Sequence, residues 1–240
     1  MTDQPAPNED ETAQEYRQYR FSPPPGAADL ILIRHGESAP ARLDAPFPLM
    51  DGRSDPPLDP RGRAEAELVA DRLHDEEVAA IYVSTLRRTA ETAEPLAIRL
   101  GLQPKVEPAL AEVYLGEWEG GLFRQRVRDR HPDAIRMFEE QRWDVIPGAE
   151  PMEDFQARVA DAIGRIAGAH QDQRAVVVTH GGVIGTIVSL ATGSRPFAFV
   201  GADNASITHL VVTDDRWIVR RFNDTGHLGT DLDRPPQPLT

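Results

Sequence analysis

Two histidines stand where buried strands end. Arg34-His35-Gly36-Glu37 follows the apolar run Leu30-Ile31-Leu32-Ile33, and His180-Gly181-Gly182 follows Ala175-Val176-Val177-Val178-Thr179. Such runs read as strands of a parallel sheet covered on both faces. Open α/β sheets take their ligands outside the carboxyl ends of the strands, which places both imidazoles at a site rather than in a core. A histidine there can ligate a metal, act as a base, attack as a nucleophile or serve the structure alone. The repetition favours a site, and the glycine after each histidine lets backbone approach a ligand, which makes Gly181 a binding candidate. A metal would need a third ligand, and counting carboxylates does not exclude one. The arginines point to an anion. Arg34 adjoins His35, and Ser84-Thr85-Leu86-Arg87-Arg88 brings more guanidinium to the end of a third strand, where a helix begins. Such an anion fits phosphate, to which a guanidinium donates two parallel charge-assisted hydrogen bonds, and a helix N-terminus adds free N–H groups.

The elements that must hold these residues alternate along the chain. Asp59-Pro60 reads as a helix N-cap with proline at the first position, and Ala66, Val69, Ala70 and Leu73 continue as one stripe, giving a helix over Pro60–His74. A strand over Val78–Ser84 leads to a helix over Arg87–Leu100 that ends at Gly101, with Pro95 expected to kink or restart it. The stretch from Gly120 to Pro147 is polar, with short helical signals, and reads as an inserted lobe. Phe155, Val159, Ala162, Ile163 and Ile166 mark an amphipathic helix before the second histidine strand, and Ile184, Ile187 and Val188 mark one after it. Two last strands, Ile207–Thr213 and Trp217–Phe222, close the sheet. The expected fold is α/β with three layers, α/β/α, around a mostly parallel central sheet.

Composition narrows the class. The chain has 240 residues, enough for one well-cored domain over about 29–228, with a flexible extension at 1–28, a lobe at about 120–150 and a tail at 229–240. A net charge of −13 argues against nucleic acid or an anionic membrane as the main partner. Lys105 is the only lysine, so a local arginine cluster would have to overcome the acidic field around it. Cysteine is absent, which removes thiolate metal sites and a cysteine nucleophile. No apolar run is long enough for a membrane span, and the N-terminus lacks a signal pattern, so the expected location is cytoplasmic.

Four motifs in order resemble the histidine phosphatase superfamily, the phosphoglycerate-mutase-like proteins. They are Arg34-His35-Gly36-Glu37, Ser84-x-Leu86-x-Arg88 with Thr92, Glu112-x-x-x-Gly116-x-Trp118-Glu119-Gly120, and His180-Gly181-Gly182-Val183. Asp55-x-x-Leu58 with Gly62 is similar to the segment that follows the first motif there. The resemblance implies that His35 accepts the phosphoryl group on a ring nitrogen and passes it to water, with no metal or other cofactor. It implies that Arg34, Arg88 and His180 surround the phosphoryl oxygens, with Ser38 a donor from the first loop. The residues alone leave Glu37, Glu112, Glu117, Glu119 and Glu153 open as the acid; the resemblance selects Glu112, and Glu37 is then read as structural.

Mutases of that family continue the first motif with a Trp-Asn pair, whereas this chain reads Ser38-Ala39-Pro40-Ala41-Arg42. The implied activity is therefore a phosphatase acting on a small phosphorylated metabolite. The alternatives are a phosphoglycerate mutase and a phosphate-binding scaffold that lost catalysis; a homodimer is an open possibility. Substrate choice falls to the lobe between Gly120 and Pro151 and to the loop over 43–55. Arg53, Arg124 and Arg128 read either as contacts to a second anionic group or, the preferred reading, as a solvated face, and His74, His131, His170 and His209 as structural or surface residues. His227 is less settled, because related phosphatases end their last strand in a similar way.

Overall fold

The computed structural model describes residues 16–42 and 44–229. Most of the two expected loose ends, residues 1–15 and 230–240, lies outside that range. Within it, Tyr16 and Tyr19 are exposed, while the Phe21 ring lies 3.9 Å from the Arg220 guanidinium. The Gly26 amide then donates to Asp172 Oδ1 (2.6 Å), fixing the entry to the first strand.

In chain order the elements are β1 (Ala28–Arg34), β2 (Leu49–Met50), β3 (Arg53–Ser54), α1 (Pro60–Leu73), β4 (Ala80–Val83), α2 (Arg87–Leu100) and β5 (Lys105–Val106). They continue with α3 (Leu122–Arg128), α4 (Pro132–Glu140), α5 (Met152–Ala169), β6 (Arg174–Thr179), α6 (Gly181–Thr192), β7 (Ile207–Val212) and β8 (Trp217–Asp224). Six strands form one sheet in the order β5-β4-β6-β1-β7-β8. The first four in that order run parallel, and β7 and β8 add antiparallel pairs at one side. β2 and β3 form a separate hairpin.

Side-chain alternation divides the core into two layers. Leu30 and Leu32 of β1 join Ala175 and Val177 of β6 against α5, α6 and the lobe. Ile31 and Ile33 join Val176 and Val178 against α1 and α2. Both faces of the central strands are thus covered, which accounts for their unbroken apolar sequence. The α1 N-terminus forms as its residues dictate: Asp59 accepts from the Arg61 amide (3.0 Å), with Pro60 in the first turn. α2 runs through Pro95 as one helix, so no restart occurs. Its buried stripe of Ala93, Leu96 and Ala97 against the sheet outweighs the roughly 3 kcal/mol that an interior proline costs.

Strand register does most to build the site. β1 and β6 are neighbours, with Arg34 paired to Thr179, and the His35 amide donates to the Thr179 carbonyl (2.9 Å). His35 and His180 therefore leave adjacent strands at the same level. No described helix is long and apolar enough to cross a membrane.

Candidate active site

His35 is buried, and its Nδ1 lies 2.8 Å from the Gly36 carbonyl oxygen. A carbonyl only accepts, so that partner assigns the hydrogen to Nδ1 and leaves the lone pair on Nε2. Arg88 Nε donates to this Nε2 (3.1 Å). Burial pushes the His35 pKa well below its ordinary value, and the charges of Arg88 and Arg34 push it further. The ring is therefore neutral at physiological pH, with an available lone pair.

Arg88 comes from the first turn of α2 and also donates from Nη1 to the Ser54 carbonyl (2.9 Å). Burial lowers its pKa to about 10, which keeps it charged at neutral pH. The helix start that carries it has no cap of its own; Asp55 supplies one, accepting from the Arg87 amide (2.8 Å). Thr92, one turn along α2, accepts from the Gly36 amide (3.0 Å) and ties this helix to the first loop. A side chain on Gly62 would overlap the Glu37 backbone, so the start of α1 packs directly on the same loop. Glu37 itself pairs with Arg61 at the surface, while its amide donates to Glu65 (2.8 Å); it holds the loop and stays away from the cleft.

Arg34 donates to the Ala202 carbonyl (2.5 Å), and the charges of Glu112, Asp203 and Glu65 offset part of the cost of burying it. His180, at the N-cap of α6, is fully buried and meets the His35 ring edge-on with centroids 5.2 Å apart. Its Nε2 shares a hydrogen bond with Ser84 Oγ (2.8 Å), and its Nδ1 is buried with no hydrogen-bond partner. Burial, followed by Arg88 and His35, depresses its pKa well below the ordinary value. Gly181 opens α6 and packs close to the Arg34 guanidinium.

The Glu112 side chain, from the loop before α3, reaches the start of the same helix. Its Oε2 accepts from the Gly182 amide (3.0 Å) and its Oε1 from the Val113 amide (2.9 Å). Two backbone amides thus fix the direction of this side chain. A Cβ on Gly182 would fall 2.5 Å from Oε1, so only glycine lets this carboxylate approach.

The remaining candidates divide. Ser38 is buried, and its hydroxyl accepts from Arg124 Nη2 (2.6 Å), so it holds an arginine in place. Arg124, expected on a solvated face, instead lines the cleft with Arg34, His35, Arg88 and Glu112, and also donates to the Ala39 carbonyl (2.9 Å). The reason is local: Gly121, with φ +102°, turns the chain so that α3 begins over the cleft mouth. Arg128 is exposed and paired only with Asp129. Arg53 spans both roles, lining the cleft while donating to the Glu112 carbonyl (2.8 Å). Arg158 of α5, which sequence reasoning did not single out, donates to that same carbonyl (3.1 Å) and to Ala109 and Ala111, and pairs with Glu150. Burial alone would raise the Glu150 pKa, but Arg158 holds it below the ordinary range. His227 donates from Nε2 to the Ala205 carbonyl (3.0 Å), and His209 pairs with Asp29; both lie among structural contacts.

Among the described residues no three His, Asp or Glu side chains converge as a metal-binding group. The charges that act on His35 are those of Arg88, Arg34 and Arg124, a local cationic cluster within an acidic chain. A parallel sheet that ends in a neutral histidine among guanidiniums, with a carboxylate at a helix start, suits an anion such as phosphate. Residues 30–225 match the family model of the histidine phosphatase superfamily, branch 1, and the chain belongs to that family.

Relatives include phosphatases and mutase-like proteins. The chain is 34% identical over 208 residues to phosphoglycerate mutase-like protein 4 of Arabidopsis thaliana, covering 84% of this chain and 87% of that one. It is 30% identical over 209 residues to a metal-independent phosphoserine phosphatase of Arabidopsis thaliana, covering 84% of each. The fold matches the crystal structure of a phosphoglycerate mutase from Bacillus anthracis with a TM-score of 0.71 at 22% identity, over 85% of this chain and 96% of that one.

Proposed function

We propose that this protein is a metal-independent phosphomonoesterase that works through a phosphohistidine on His35. The observation that carries the reading is the fixed tautomer of His35: Nδ1 is engaged by the Gly36 carbonyl, and the Nε2 lone pair lies among buried guanidiniums. Nε2 attacks phosphorus in line, forming the N–P bond as the P–O bond to the alcohol breaks. Glu112 delivers its proton to the departing oxygen. Water then attacks phosphorus, Glu112 takes the water's proton, and the N–P electron pair returns to Nε2, releasing inorganic phosphate.

Arg34, Arg88 and Arg124 supply positive charge where the transferring group spreads its negative charge, so positioning and electrostatics provide most of the catalysis. Arg88 exchanges its bond to Nε2 for one to a phosphoryl oxygen. His180 Nδ1 carries the hydrogen when Ser84 donates to Nε2, and a phosphoryl oxygen then satisfies a group whose burial without a partner costs about 1–3 kcal/mol.

The test is phosphate release from a panel of monoesters, with and without chelator, by the wild type and by His35→Ala. Release that resists chelator and disappears in the variant supports the reading. Release that persists in His35→Ala contradicts it, isomerised ester in place of free phosphate indicates a mutase, and loss of release on chelation returns the metal alternative.

A further inference from the structure

Much of the lining of the cleft that holds His35 is apolar. Phe47, Leu115, Phe123, Phe138, Trp143 and Val200 line the same cleft as His35, Arg88 and Glu112. Their rings are held by other rings. Trp143 packs on Phe197 with centroids 4.6 Å apart, Phe138 packs on Phe197 at 6.2 Å, and Phe123 meets Trp143 at 6.1 Å. Phe47 is fixed from two sides, by its amide bond to the Gly120 carbonyl (3.1 Å) and by the Arg124 guanidinium 5.4 Å from its ring centre. The wall is therefore in place before a ligand arrives.

The polar groups that share this wall are already engaged. Arg53 is committed to the Glu112 carbonyl and to Glu150 (3.5 Å). Ser54 Oγ donates to Glu119 and accepts from the Gly120 amide (2.8 Å). Glu119 accepts in turn from the amides of Ser54 (2.7 Å) and Leu115 (2.9 Å). Arg124 lies over Phe47 and donates to the Ala39 carbonyl (2.9 Å) and to Ser38 Oγ (2.6 Å). A carboxylate or ammonium on a leaving alcohol that lies against these rings would lose its water there, which is costly.

We propose that the cleft selects phosphomonoesters whose alcohol is bulky and apolar, aromatic above all, over amino-acid and sugar-acid phosphates. This rests on the phosphatase reading above and separates this chain from the phosphoserine named for its relative. Burying a methylene is worth about a fourfold gain; a phenyl ring is expected to give at least about tenfold.

The experiment compares kcat/KM of the full chain for 3-phenylpropyl phosphate and propyl phosphate, whose leaving alcohols are of similar acidity, with O-phosphoserine and 3-phosphoglycerate alongside. The phenylpropyl ester is expected to exceed the propyl ester by at least about tenfold, with both acidic esters below it. Phe123→Ala and Phe138→Ala, each checked for cooperative melting, are expected to shrink that ratio. Equal values for the two alkyl esters, or phosphoserine ahead of both, overturn the inference and leave the phosphatase reading intact. Absence of release from every ester overturns the phosphatase reading and this inference with it.

Discussion

Replacing Gly182 by alanine tests whether Glu112 works from the position seen here. The added Cβ would lie 2.5 Å from Oε1 and 3.2 Å from the carboxyl carbon. Optimal non-bonded contact is roughly 3.5 Å, so the carboxylate must retreat by about 1 Å. It is the far end of a flexible side chain, so it can yield without disturbing the helix, and alanine suits a helix better than glycine by about 1 kcal/mol. Stability should therefore hold. A displacement of about 1 Å at a reacting group costs up to about 10²-fold, or about 2.7 kcal/mol of barrier. The assay is the rate of His35 phosphorylation in a rapid-quench burst, with propyl phosphate and 4-nitrophenyl phosphate compared. The alkyl ester, which needs a proton on its leaving oxygen, should slow by about 10²-fold, and the nitrophenyl ester by much less. An unchanged alkyl rate in a folded Gly182→Ala protein, or equal slowing of both esters, would refute the assignment of Glu112 as the acid.

Other perturbations follow from the same geometry. Arg158→Leu removes the shorter of the two ion pairs of Glu150, leaving Arg53 at 3.5 Å, and removes donors from the carbonyls of Ala109, Ala111 and Glu112; a loss of about 1–3 kcal/mol in urea unfolding is expected, together with a lower kcat. Asp55→Ala uncaps α2 and should cost about 1 kcal/mol, with a rise in KM because Arg88 stands in that first turn. His35 and His180 are both depressed below 6.5 in the folded state, so the unfolded chain takes up protons first. Their stabilising contribution is whole above that value and declines as pH falls from there toward the folded pKa values. The urea midpoint should therefore drop from pH 7.5 to 5.5, and His180→Asn should flatten the slope; an unaltered slope would count against the buried neutral pair.

The two histidine strands were legible because both signals are local. An apolar run covered on both faces and a histidine-glycine pair at its end need no knowledge of the rest of the chain. The helix that presents Arg88 was legible for the same reason, in its stripe and its closing Gly101. Glu112 was not separable from other glutamates by residue type; the motif resemblance selected it, and the structure gives the physical reason, a carboxylate at the α6 start that Gly182 leaves room for. Arg124 is not separable from Arg128 in the sequence, because its placement depends on the turn at Gly121 and a polar lobe has no periodicity to announce which arginine faces inward. Arg53 and Arg158 converge on one carbonyl from a hairpin and a distant helix, which no spacing reveals. The aromatic wall likewise gathers side chains from the loop at Phe47, the lobe and the segment after α6.

The central claim concerns one nitrogen. Quenching the wild type in base during turnover of a monoester, followed by peptide mass spectrometry, should find a single acid-labile phosphate on His35, attached through Nε2 and absent from His35→Ala. Sustained turnover with no such adduct, or an adduct on another residue, would contradict the account.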